Sequence, residues 1–126
     1  MEENMRIALP VDEKKSETGI CISFGRAPYF MFYDTETKNS SFLLNSAAES
    51  QGGAGIKAAQ LLADNKAEVL LTPRCGQNAA EVLQSANIKM FKTVGTSVSE
   101  NIHDFAAGKL AKLSEIHAGF HNHGGR

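Results

Sequence analysis

Ala67-Glu-Val-Leu-Leu-Thr-Pro-Arg-Cys-Gly-Gln-Asn-Ala-Ala-Glu-Val-Leu83 reads as a strand, a sharp turn and a helix. Ala67 to Thr72 is almost continuously apolar and ends on a β-branched residue, the pattern of a strand buried on both faces. Pro73 restricts Thr72 to extended geometry and Gly76 permits a positive φ, so the chain can leave a strand and enter a helix at once. Ala79, Val82, Leu83 and Ala86 then recur at i, i+3, i+4 and i+7, one apolar stripe of a helix. Arg74 and Cys75 therefore fall where the carboxyl end of a strand meets the amino end of a helix, the place where open α/β sheets bind ligands.

Outward from this unit the same alternation continues. Downstream, Ile88 to Thr93 reads as a strand. Ser97-Val-Ser-Glu100 is a capping-box signature, followed by the buried stripe Val98, Ile102, Phe105 and Ala106 and a stop at Gly108. Lys109 to Ile116 reads either as a continued helix or as a short edge element. Upstream, a helix starts near Gly53, with Ile56, Ala59 and Ala63 on its apolar face and Lys57, Gln60 and Asp64 on another. Before it lie strand-like runs at Met5 to Val11, Tyr29 to Tyr33 and Ser40 to Asn45, with an extended segment at Ile20 to Phe24. Asp34 to Asn39 is a polar hairpin connection that makes the last two runs antiparallel neighbours. The order β, β, β, α, β, α, β, α needs right-handed crossovers between parallel strands after an antiparallel start. That defines a mixed sheet with helices on both faces.

Composition narrows the function classes. With 126 residues, 42% of them hydrophobic, the chain suits one domain with a single core. A net charge of -1 gives no electrostatic footprint for nucleic acid or an anionic membrane. No apolar run reaches the roughly 18 residues of a membrane span, and Met1-Glu-Glu-Asn is acidic where a secretory signal is basic, so a cytoplasmic location is expected. Cys21 and Cys75, with no CxxC pair, are expected to be reduced.

Several blocks carry a family resemblance: the Met5-Arg-Ile-Ala-Leu-Pro-Val11 opening, Phe24-Gly-Arg-Ala-Pro-Tyr-Phe30, Gly53-Ala-Gly-Ile-Lys-Ala-Ala-Gln-Leu-Leu62, and Cys75-Gly-Gln-Asn-Ala79 leading into Ala86-Asn-Ile-Lys89. In these blocks the chain resembles the dinitrogenase iron-molybdenum cofactor biosynthesis family, which includes NifX and the C-terminal domain of NifB. The likeness runs from Met5 to Phe105. It implies a three-layer α/β/α, ribonuclease-H-like motif built on a mixed five-stranded sheet. It also implies a cytosolic carrier of an iron-sulfur or molybdenum-containing cluster, with cluster donor and acceptor proteins as partners, and no catalytic turnover. The clustered cysteines that carry NifB's radical chemistry are absent from this sequence. The core is expected over residues 5–108, with a histidine-rich tail over 109–126.

The candidate ligands follow. Cys75, beside Arg74 and a helix amino end, is expected to have a lowered pKa and to bind metal as a thiolate, or else to pack as a small hydrophobe. Arg26 and Arg74 offer positive charge to an anionic cluster, although Arg26 also reads as an ordinary solvated loop arginine. Gly52, Gly53 and Gly76 can present backbone N–H groups, whereas Gly55 reads better as a helix-packing glycine. Cys21, between Ile20 and Ile22, reads as a core residue, and His103 as a surface residue or a cluster ligand. His117, His121 and His123, with their glycine neighbours, can collect a divalent metal. Two other readings compete with the carrier: a cofactor-free interaction module, and an enzyme using Cys75 as nucleophile. The second finds no base near Cys75 in sequence.

Overall fold

A computed structural model describes residues 5–15 and 17–113. His117, His121 and His123 lie outside the described residues. The elements run β1 (Arg6–Val11), β2 (Tyr29–Asp34), β3 (Ser40–Leu44), α1 (Ala54–Asp64), β4 (Val69–Thr72), α2 (Gln77–Ser85), β5 (Lys89–Lys92) and α3 (Val98–Ala106), the order expected. They build one five-stranded sheet in the order β3-β2-β1-β4-β5. β1 pairs antiparallel with β2, and β2 with β3, while β1–β4 and β4–β5 are parallel. The sheet is mixed, and the α/β architecture agrees with a ribonuclease-H-like motif.

Pro10 sits inside the middle strand, where a missing N–H would normally break a ladder. It is tolerated because β1 and β4 pair only through Ile7↔Val69 and Ala8↔Leu70, so no bond to β4 is lost beyond them. Its carbonyl is used instead by the Cys21 N–H, at 2.8 Å. That contact brings in the extended segment before β2, Ile20 to Phe24, which meets the rest by single bridges, Val11↔Ile20 and Gly19↔Ser97.

Strand alternation sorts the core into two layers. Ala8, Phe30, Phe32 and Leu70 point to one face, where Ala58, Ala59 and Leu62 of α1 and Ala79, Ala80 and Leu83 of α2 cover them. Ile7, Leu9, Val11, Met31, Val69 and Leu71 point to the other, against Val98, Ile102 and Phe105 of α3. The buried side of α1 is rotated from the stripe read in sequence: Ile56 is 41% exposed, and Ala54, Ala58, Ala59 and Leu62 are buried. The reason is that α1 packs on α2 as well as on the sheet, so Ile56 and Ala63 line the furrow between the helices.

α3 begins as its capping signature requires, the Ser97 Oγ accepting from the Glu100 N–H at 3.1 Å. It ends at Gly108, whose φ of 75° only glycine adopts without strain. The ambiguous segment after it is extended as far as Leu113, running beside β5 with Lys92 N–H to Ala111 O at 2.9 Å and Leu113 N–H to Met90 O at 3.0 Å.

Candidate functional site at the starts of α1 and α2

The turn before β2, the first turn of α1 and the first turn of α2 converge. A Cβ built on Gly25 would stand 2.9 Å from the backbone of Gly55, and one built on Gly55 would stand 3.4 Å from the Cβ of Ala79. Three segments of backbone can approach this closely because two of them carry glycine at the contact. Gly53, at the N-cap of α1, adopts φ 69°, and no side chain caps the helix. Gly76 caps α2 in extended geometry, again with no side-chain acceptor. Neither helix has an acidic residue in its first turn, in contrast to α3 with Ser97 and Glu100. The two adjacent helix starts therefore keep their positive ends and first-turn N–H groups without a side-chain acceptor.

Arg26 and Arg74 are both exposed near this edge. Arg26 is not simply solvated: its Nη1 donates to Ala48 O at 2.8 Å and to Ser50 O at 3.0 Å, which ties down the loop leading into α1. Its Nε and Nη2 have no partner among the described residues. Lys57 reaches the same loop, Nζ to the Ser50 Oγ at 3.3 Å. The base of the loop is held by Asn45, whose Nδ2 donates to Gly25 O and Ala27 O and whose Oδ1 accepts from the Ala47 N–H. Asn45 was not among the residues singled out in sequence. An asparagine closing an apolar run before small polar residues is the signal that marks it.

Cys75 corrects the expectation of an acidic, available thiol. It is 1% exposed and belongs to the core cluster with Phe24, Leu70, Ala79 and Ala80. Burial pushes its pKa up to about 12. Two positive fields were expected to favour the thiolate, but the cost of desolvating a charge inside an apolar layer outweighs them. Its Sγ has one weak acceptor, Gly76 O at 3.5 Å. Cys21 departs the other way, being half-exposed rather than packed in the core. Its thiol is also pushed up, first by burial and then by the neighbouring Asp12, against a lowering contact from the Ser23 backbone.

The candidates do not all meet. Gly52, Gly53, Gly76, Arg26 and Arg74 are grouped by the two helix starts, with Cys75 beneath them. His103 instead lines a groove under α3, whose core cluster is on the opposite face of the sheet from that of Cys75. Among the described residues no three His, Cys, Asp or Glu side chains gather to hold a metal ion. Among the same residues no helix is long and apolar enough to cross a membrane.

The molecule is thus a small α/β domain with a mixed sheet and, at one edge, two glycine-capped helix starts flanked by Arg26 and Arg74. The chain belongs to the dinitrogenase iron-molybdenum cofactor family, whose sequence profile matches residues 5–108. An uncharacterised protein of Methanocaldococcus jannaschii is 32% identical over 112 residues, covering 86% of this chain and 92% of that protein. The apo form of the orange protein from Desulfovibrio gigas superposes with a TM-score of 0.84 at 30% identity, over 90% of this chain and 97% of its own. A NifB-like protein from Thermotoga does so at 0.78 with 34% identity, over 89% of this chain and 96% of its own.

Proposed function

We propose that this protein is a non-enzymatic carrier of an anionic metal-sulfur cluster, of the iron-sulfur or iron-molybdenum type, received from a donor protein and passed to an acceptor. The observation that carries the reading is the pairing of two uncapped helix starts, with no acid in either first turn, beside Arg26 and Arg74. Such a rim attracts an anion through backbone donors and fixed charge together. Membership of the family supports a cluster as that anion. In this reading the cluster first meets the free Nε and Nη2 of Arg26, the Arg74 guanidinium and the N–H groups after Gly53 and Gly76. Ligation by Cys75 comes second, because the metal must displace a tightly held proton and the thiol must leave its packing. His103 plays no part at this rim, and His117, His121 and His123 serve as ligands for a divalent metal.

Burial of Cys75 favours one other reading, a cofactor-free interaction module on the same fold. A Cys75 nucleophile is disfavoured by the same burial, since the thiolate is the reactive form. Anaerobic reconstitution with iron and sulfide, followed by metal analysis after gel filtration, separates the two readings. The carrier retains iron; Arg26→Glu retains less at low salt and recovers as salt rises, because an exposed charge is screened over about 8 Å at physiological ionic strength. Cys75→Ser loses iron at every salt concentration. Equal iron on all three proteins, or none on any, leaves the interaction module.

A further inference from the structure

Among the described residues one nine-residue helix, α3, packs on the second face of the sheet and leaves part of it open. Between α3 and strands β1 to β3 runs a groove of about 820 Å³. Its volume lies within the range of about 300–1,000 Å³ typical of small-molecule sites. Ile7 and Met31 from the sheet and Ile102 and Phe105 from α3 give it an apolar floor and wall. Thr35, Ser40 and Ser99 also line it, and three further residues bring the larger polar groups, the Tyr33 hydroxyl, the Lys38 ammonium and the His103 imidazole.

None of the three groups has a hydrogen-bond or ion-pair partner among the described residues. Lys38 is nevertheless placed by a fixed backbone. It sits at φ 64° in the β2–β3 hairpin, its N–H donates to Asp34 O at 2.7 Å, and the Asp34 carboxylate accepts from the N–H groups of Glu36 and Thr37. His103 faces the groove from the last turn of a capped helix. Among the described residues no aspartate or glutamate lines the groove. An apolar trough with donors at its rim and no carboxylate is complementary to a molecule with an apolar body and one negative head.

We propose that this groove is a second ligand site, distinct from the helix-start rim, and that it takes a small amphipathic carboxylate. The chain of the ligand lies along Ile7, Met31, Ile102 and Phe105. Its carboxylate is met by Lys38, with Tyr33 and His103 as further donors. The site needs no metal and does not depend on the cluster reading, because Cys75 and the helix starts belong to the other face.

The test is a titration of the full-length protein with octanoate, followed by amide NMR, with octylammonium as the probe of equal length and opposite charge. Octanoate should give saturable shifts centred on Met31, Tyr33, Lys38 and Ile102, and should bind about tenfold more tightly than octylammonium, since the pairing with the Lys38 ammonium changes from attraction to repulsion. Lys38→Glu should weaken octanoate by about fivefold and narrow the difference between the probes, whereas Lys57→Glu, on the other face, should do neither. Equal affinity for both probes, shifts centred outside the groove, or no saturable binding would each overturn the proposal.

Discussion

Gly25 and Gly55 meet backbone to backbone: a Cβ on Gly25 would stand 2.9 Å from both the Cα and the amide nitrogen of Gly55, and 3.3 Å from the Ala54 carbonyl carbon. No flexible side chain is available there to yield. Gly25→Ala must therefore push the Phe24–Pro28 turn off the first turn of α1, at about 1–3 kcal/mol, a typical cost of overpacking. Urea unfolding should show that loss for Gly25→Ala. Gly52→Ala, where a Cβ meets nothing within 4 Å, should leave the midpoint almost unmoved.

The thiols should react in the order of their exposure. Cys21 is half-exposed and Cys75 is 1% exposed with its thiol pushed up to about 12. Iodoacetamide on the native protein near neutral pH should label Cys21 and leave Cys75 unmodified until denaturant is added. Mass spectrometry of the digested chain reads the order. Preferential labelling of Cys75 in the native state would mean that α2 opens at its start far more often than its packing implies.

The same burial ties stability to alkaline pH. Below its ordinary value of 9.0 the Cys75 thiol is protonated in both folded and unfolded chains; between there and about 12 only the folded chain keeps the proton. The unfolded state then binds fewer protons, so stability falls as pH rises, by about 1.4 kcal/mol per pH unit for this one group. Cys75→Ala should lower stability at neutral pH and remove this share of the alkaline slope. Comparing denaturation midpoints of the two proteins between pH 8 and pH 10, a range of about 2 units in which this linkage begins to act, checks it.

Asn101 is fully buried and locks the turn after β5 onto α3. Its Oδ1 accepts from the Val94 N–H at 2.8 Å, and its Nδ2 donates to Val94 O and Ser97 O at 2.9 and 2.8 Å. Asn101→Ala removes all three bonds; Ser97 O keeps the Asn101 backbone N–H at 3.2 Å, while the Val94 N–H and carbonyl lose their side-chain partner, so the expected loss is about 1–3 kcal/mol. Asn101→Asp keeps the acceptor but sets a carboxylate against two carbonyls, so it should be worse than alanine. Thermal unfolding of the two variants ranks them.

Element order, strand direction and the capped start of α3 were legible in the sequence because each rests on neighbours in the chain: alternation in β1 and β2, the Asp34–Asn39 turn, and the Ser97 and Glu100 pair. The helix-start edge was legible in part. Arg26, Arg74, Gly52, Gly53 and Gly76 could be named from turn chemistry and family likeness, and the fold groups them at the starts of α1 and α2. Asn45 and Asn101 escaped notice, since their bonds run to loops whose positions the local sequence does not reveal.

The set of elements, their order and the parallel or antiparallel sense of their pairing follow from the residues alone, because periodicity, turn residues and crossover handedness are local or nearly local constraints. The environment of each side chain, by contrast, exists only in the folded molecule. The charge state of Cys75 depends on the apolar layer that Phe24, Leu70 and Ala80 close around it, and the exposed flank of Ile56 depends on where α1 meets α2. The separation of His103 from the helix starts depends on which face of the sheet α3 takes. Desolvation and packing are set by residues far apart in the chain, so they come into being only when the layers close.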